Sequence, residues 1–234
     1  MDNTPDIVRV ALEYKEKLNA LDVRAIGYLA DKYVQIDNAL TAQIQKLLGE
    51  IAALNKEPSI YWIRELEYYQ ALQDQLRNSI AAYSGDAFNF YRQQKIEGAI
   101  LGYDSAKDLV TMAYPVDMLG YFKGLPSPAL EAILGTLASD SPTRQLFNSM
   151  GMDVSRALEK GLLDGLALGK PYPQIANELS QVIRMPLWRS LMITRTETNR
   201  AYRTSTLSTY REYGIKRYKR MANRRGACMA CLLL

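Results

Sequence analysis

Apolar residues recur in steps of three and four along the first third of the chain, with polar and charged residues between them. The first run contains Ile26, Leu29, Tyr33, Ile36, Leu40, Ile44, Leu47, Ile51 and Leu54. The second run contains Ile60, Ile63, Leu66, Tyr69, Leu72, Leu76, Ile80 and Tyr83. This spacing puts each run on one face of an α-helix, and Pro58 disfavours helix between them. The pattern therefore predicts a long antiparallel helical hairpin over residues 1–84.

The two apolar faces have two interpretations. Each forms either a core seam within this chain or a docking face for another protein, and we favour the core seam. The length of the helices keeps the docking interpretation open, because helices this long protrude from a domain of this size unless something else packs on them.

Glycine and proline interrupt the pattern over residues 85–150. The interrupting residues are Gly98, Gly102, Gly120, Gly124, Gly135, Pro115, Pro126, Pro128 and Pro142. Because both residue types are common where helices end, we expect an irregular connecting region with short helical pieces here.

Residues 151–234 form a second unit, in which helical periodicity returns. We expect helices from Val154 to Leu168, from Gln174 to Ile183 and from Pro186 to about Tyr213. The predicted inner face of the last helix contains Leu187, Leu191, Thr194, Thr198, Ala201, Leu207 and Tyr210. Ile215–Met221 alternates loosely and predicts a short edge strand. The fold class is therefore mainly α, with a helical hairpin followed by a smaller helical domain and a short β element near the C-terminus.

Charge is distributed unevenly along the chain. From Arg184 to the end, twelve Lys and Arg residues face two glutamates, which is a net charge of +10. Since the whole chain carries +4, residues 1–183 carry −6. A basic end on an acidic body indicates an anionic partner for that end. The alternative is an internal contact between the two parts of the chain.

Composition excludes several classes of protein. Hydrophobic residues at 48% and charged residues at 23% are ordinary for a globular protein. The chain has no histidine, so mechanisms that need a histidine base or ligand are excluded. With two cysteines, a disulfide scaffold is excluded. The start of the chain lacks the basic-then-apolar order of a signal peptide, so we expect synthesis in a cytosol.

Cys228 and Cys231 have the spacing of thiolates that hold one side of a tetrahedral zinc ion. A closed zinc site needs four ligands, and the chain has no third cysteine and no histidine. Three interpretations stay open: half of a zinc site completed by a further segment, a redox pair, or inert thiols.

A basic tract with nearby tyrosines is the stronger candidate for a binding site. Its cations are Lys216, Arg217, Lys219, Arg220, Arg224 and Arg225. Cations bind phosphate, and tyrosines stack on exposed bases. We therefore expect binding of nucleic acid or another polyanion. The alternative is that these charges keep an edge strand soluble.

A polar motif on the last predicted helix comprises Arg195, Glu197, Asn199 and Arg200. It indicates either a network that locks this helix to a neighbour or a row of arginines that meets phosphates. The alternative is a solvated helix face with one modest ion pair. We disfavour a catalytic Glu197, since no glycine-rich loop or second carboxylate accompanies it.

This part of the chain resembles a known family. The resemblance rests on Arg195-Thr-Glu-Thr-Asn-Arg-Ala-Tyr202, on Tyr210-Arg-Glu-Tyr-Gly-Ile215 and on Cys228-x-x-Cys231-Leu232. It extends upstream through residues 161–165 and 169–176, and covers about residues 153–232. These residues are similar to the phage Mu F-like head morphogenesis family, the minor head proteins of tailed phages.

The resemblance implies a virion protein, made in the host cytoplasm, that lies inside the capsid near the portal vertex. It implies several copies that contact the portal protein, other head proteins and packaged DNA during procapsid assembly, without catalysis and without a membrane. In the family, an Asp-Gly turn and a histidine–cysteine pair follow the Cys-x-x-Cys-Leu. Here the sequence ends at Leu234. We therefore expect a truncated form of a longer protein, with zinc at Cys228 and Cys231 only if a further segment supplies ligands. The alternative function is non-specific DNA binding during genome packaging or ejection.

Overall fold

The computed structural model describes residues 6–57, 59–114, 124–125, 130 and 141–216. Six helices lie in these ranges: α1 Asp6–Leu54, α2 Ile60–Glu65, α3 Glu67–Ala113, α4 Pro142–Ala167, α5 Tyr172–Ile183 and α6 Met185–Glu212. No strand occurs in the described ranges, so the mainly α class is confirmed. The predicted β element is not supported. Ile215 and Lys216 follow α6 and have no strand structure, and residues 217–221 lie outside the described ranges.

The two apolar runs form the core of the molecule. Leu29, Leu40 and Ile44 of α1 are fully buried, as are Leu76 and Ile80 of α3. Residues early in α1 contact residues late in α3. Along α1 these contacts run in the order Tyr14–Asp108, Arg24–Glu97, Lys32–Asp86 and Tyr33–Tyr83. The core interpretation of the two runs therefore holds over most of their length. The first run becomes exposed at its ends, where Ile26 and Leu54 lie.

The predicted helices of the second unit are confirmed, although α4 begins earlier than expected. Ser141 caps it by accepting a hydrogen bond at 3.2 Å from the backbone N–H of Arg144, and Pro142 fits the first helical turn. The helix ends at Ala167, and Gly169 follows its C-cap with a φ of +64°, which is costly for residues with a side chain. Because α4 runs from Pro142 to Ala167, the predicted domain boundary at residue 150 falls inside a continuous helix.

The prediction of an irregular region is wrong for residues 85–113. Helix α3 continues through Gly85, Gly98 and Gly102 to Ala113. Gly98 and Gly102 do not break the helix, and they lie where α6 crosses α3. The hairpin boundary at residue 84 therefore also falls inside a helix.

Helix α6 lies along the second half of α3 and also contacts α1, α4 and α5. Phe88 and Tyr91 of α3 pack on Phe147 of α4, each with ring centroids 5.7 Å from those of Phe147. The described helices contain no stretch that is apolar and long enough to span a bilayer. The packing of α6 on α3 places Glu197 of the polar motif against α3.

Candidate functional site

The contact between α3 and α6, here called the α3–α6 seam, brings two backbones close together. A Cβ atom on Gly98 would lie 2.9 Å from the carbonyl oxygen of Thr198, and one on Gly102 would lie 2.2 Å from that of Tyr202. The hydroxyl of Thr206 lies 3.1 Å from the carbonyl oxygen of Gly102 and can donate to it. The seam therefore depends on glycine at two positions one helical turn apart.

The inner face of α6 differs from the predicted one. Thr194, Thr198 and Ala201 are buried as expected. Leu187, Leu191, Leu207 and Tyr210 are only half-buried. The prediction missed the polar residues Ser190, Glu197, Ser205 and Thr209, all of which are buried. Small residues spaced like Gly98 and Gly102, opposite a Ser/Thr-rich helix, are the signal of close helix packing that could have revealed this face.

Glu197 lies between two cations in the seam. Its Oε2 is 2.9 Å from Nζ of Lys95 on α3, and its Oε1 accepts a hydrogen bond from the guanidinium of Arg200. The ammonium of Lys95 is also 3.4 Å from the hydroxyl of Tyr91. Lys95 is 2% exposed and Glu197 is 7% exposed. The ion pair is therefore buried, and it ties α6 to α3.

The other motif residues point elsewhere. The guanidinium of Arg195 lies 3.1 Å from Asp22 of α1, and the amide of Asn199 donates to the carbonyl oxygen of Arg195 at 2.8 Å. The structure thus brings Glu197 and Arg200 together and directs Arg195 to a third helix. No local pattern points to Lys95 as the partner of Glu197, because Lys95 lies 102 residues earlier in the chain.

The first four arginines of the basic segment are paired with carboxylates of the same chain. Besides Arg195 and Arg200, Arg184 lies 3.1 Å from Asp37 and Arg189 lies 2.6 Å from Asp153. In contrast, Arg203, Arg211 and Lys216 are exposed and form no ion pair within the described ranges. An internal contact between the two parts of the chain therefore accounts for the beginning of the basic segment, whereas Arg203, Arg211 and Lys216 have no ion-pair partner among the described residues.

Partial burial raises the pKa of two carboxyl groups on the long helices. Desolvation raises the pKa of Asp22, although the positive charge of Arg195 opposes this shift. Desolvation also raises the pKa of Asp104, and the nearby Asp108 adds to this effect. Burial raises the pKa of the Tyr83 phenol to about 12. The α1–α6 contact therefore contains a desolvated carboxylate that benefits from its guanidinium partner.

Most of the predicted binding tract lies outside the described residues. Lys216 is described and exposed, whereas Arg217, Lys219, Arg220, Arg224 and Arg225 are outside the described ranges, as are Cys228 and Cys231. Within those ranges, no group of three or more Cys, Asp or Glu side chains is placed to hold a metal ion. The zinc prediction and most of the nucleic-acid prediction stay predictions.

No protein-family model matches this chain, and comparisons with curated proteins and with solved structures found no match.

Proposed function

We propose that this protein is a minor head protein of a tailed phage, which acts by docking during procapsid assembly. The resemblance of residues 153–232 to the Mu F-like head morphogenesis family supports this proposal. In this role several copies associate with the portal protein and other head proteins inside the capsid near the portal vertex.

The observation that carries the DNA-contacting part of the proposal is the division of the basic segment. Arg184, Arg189 and Arg195 are held by carboxylates of α1 and α4. Cations that are already paired inside a protein have less to offer an external polyanion. Among the described residues, the cations without an ion pair lie farther along, at Arg203, Arg211 and Lys216, and five more cations follow in the sequence. We propose that this end contacts the phosphates of packaged DNA without regard to base sequence.

The remaining helices take the role of a scaffold in this proposal. Helices α1 and α3 act as one long helical hairpin, and α4, α5 and α6 act as the smaller helical domain that holds the basic end. The acidic charge of residues 1–183 favours contacts with other head proteins over contacts with DNA. Glu197 has a packing role here, because both of its carboxylate oxygens are engaged by cations of the same chain.

The second candidate is a non-specific DNA-binding protein that acts during genome packaging or ejection, without lasting contact with the portal. The same unpaired cations favour it. The two candidates differ only in whether the protein binds the portal assembly.

Portal binding is tested by mixing the purified full chain with the portal protein of the same genome and sedimenting the portal assembly. We expect the chain to sediment with the portal at micromolar concentration, because a stable docking interface of standard size supports affinities of about 1 μM or tighter. The control is the chain alone, which should stay in the supernatant. A chain that binds duplex DNA but never sediments with the portal would favour the second candidate.

A further inference from the structure

A small cavity lies between α4 and the first half of α3. Its volume is about 270 Å³, and its lining is Arg77 of α3 together with Gly151, Met152, Ser155 and Arg156 of α4. The four residues of α4 lie on one face of that helix because of their spacing. Gly151 has no side chain, so its backbone forms part of the cavity wall. Two guanidinium groups from different helices therefore line the same cavity, which we call the α3–α4 cavity.

The Arg156 guanidinium has no carboxylate partner among the described residues. It is exposed, and the carboxylates best placed to pair with it lie three residues away on either side, at Asp153 and Glu159. Asp153 is engaged by Arg189, and Glu159 is engaged by Arg64. The carboxylates of its own helix turn are therefore already used, and Arg156 presents an unpaired positive charge at the cavity.

Arg77 is only weakly engaged by the rest of the chain. Its guanidinium lies 3.9 Å from the carboxylate of Asp74, and the two side chains are 78% and 71% exposed. This distance is too long for a hydrogen bond, and an ion pair between two exposed side chains contributes little because water screens it. The N–H donors of Arg77 are therefore available to an anion in the cavity.

A chain of hydrogen bonds holds α4 against α3 beside the cavity. The Ser155 hydroxyl donates to Oε1 of Gln73 at 2.7 Å, and Nε2 of Gln73 donates to the Tyr69 hydroxyl at 3.3 Å. Because Ser155 has a single hydroxyl proton, that proton is already used. Among the side chains that line the cavity, the two guanidinium groups therefore keep the free donors.

The two cations and their neighbour Met152 select the class of ligand. A carboxylate has two oxygens, and one guanidinium satisfies both through a bidentate contact. A terminal phosphate carries about 1.5 to 2 negative charges at pH 7 and three acceptor oxygens, so it can accept from two guanidinium groups at once. Met152 is 60% exposed and adds an apolar wall. The lining therefore fits a phosphate group that carries an organic part.

We propose that the α3–α4 cavity binds a small organic phosphate, with the phosphate between Arg77 and Arg156 and the organic part against Met152. The cavity belongs to residues 1–183, whose net charge is negative, and not to the basic end of the chain. The inference goes beyond the proposed function and does not depend on it, since binding at this cavity requires neither a portal nor duplex DNA.

Isothermal titration calorimetry of the full chain with adenosine 5′-monophosphate, at constant ionic strength, measures this binding. We expect one site per chain with a Kd of about 1 mM or tighter. Inorganic phosphate should bind the same site more weakly, because it makes no contact with Met152, and adenosine without phosphate should not bind. Equal affinities for the two phosphates would overturn the organic part of the proposal and identify free phosphate as the ligand.

Charge variants locate the site. Arg77→Gln and Arg156→Gln should each weaken nucleotide binding by about tenfold, because each removes a hydrogen bond to a charged group. Asp74→Asn should strengthen binding by about threefold, because it removes a negative charge beside the phosphate. Arg211→Gln is the matched control, an exposed arginine on α6, and should bind like the wild type. Circular dichroism checks folding. No saturation by about 10 mM nucleotide, or equal weakening by Arg211→Gln and Arg156→Gln, would overturn the proposal.

Discussion

Gly102→Ala should destabilise the folded chain by about 3 kcal/mol, although alanine is ordinarily the better residue in a helix. The new Cβ would lie 2.2 Å from the carbonyl oxygen of Tyr202. That oxygen belongs to the backbone of α6, so it cannot rotate away, and the two helices must separate to relieve the overlap. Loss of close packing along the α3–α6 seam follows. Urea denaturation followed by far-ultraviolet circular dichroism measures the change in the free energy of unfolding.

Gly85→Ala is the matched control on the same helix. A Cβ on Gly85 would meet nothing within 4 Å, so its only effect is on helix propensity. This variant should stabilise the chain by about 0.5–1 kcal/mol. Opposite signs for the two substitutions are expected, and a stabilising Gly102→Ala would show that α6 does not cross α3 at this point.

Glu197→Ala should cost about 3–5 kcal/mol of stability, because it leaves the ammonium of Lys95 buried without its carboxylate. Lys95 is 2% exposed, so water cannot replace the lost partner without local opening. Lys95→Met/Glu197→Leu should recover most of the loss, since apolar residues of similar volume often replace a buried ion pair at little cost. The free energies of unfolding of the single and double variants provide the measurement.

Arg200→Ala is the control for this second prediction. The Arg200 side chain is 65% exposed, and an exposed ion pair contributes at most about 1 kcal/mol. If Glu197 lay on a solvated helix face, Glu197→Ala would also change stability by less than about 0.5 kcal/mol. Similar small effects for both variants would therefore contradict a buried role for Glu197.

Helix positions were predictable because their signals are local. The spacing of Leu29, Leu40 and Ile44 on α1 shows its buried face within a few turns of chain, and the structure buries all three. Gly169 likewise shows the end of α4, because its positive φ suits glycine. Each of these inferences uses residues that are neighbours in the sequence.

The seam was not predictable in the same way, since it joins distant parts of the sequence. From the sequence alone, Gly98 and Gly102 predict breaks in a helix, whereas their lack of a side chain admits α6. The partner of Glu197 was missed for the same reason, because Lys95 lies on another helix. A single sequence shows that a glycine is present, but the approaching backbone that explains it is found only in three dimensions.

The charge asymmetry is visible in the sequence, but the structure shows that the cations of the basic segment are not equivalent. The count of cations after Arg184 treats them as equivalent. In the folded chain, Asp37, Asp153 and Asp22 engage the first three. The expected DNA contact therefore moves toward the end of the chain, beyond Arg200.

The salt dependence of binding to random-sequence duplex DNA tests this division of charge most directly. One variant changes Lys216, Arg217, Lys219 and Arg220 to glutamine, and a matched variant of equal charge changes Arg184, Arg189, Arg195 and Arg200. The first should flatten the plot of log affinity against log salt by about 0.9 for each lost phosphate contact, and the second should leave the slope nearly unchanged. Equal flattening by both variants, or no binding by the wild type at low salt, would contradict the account.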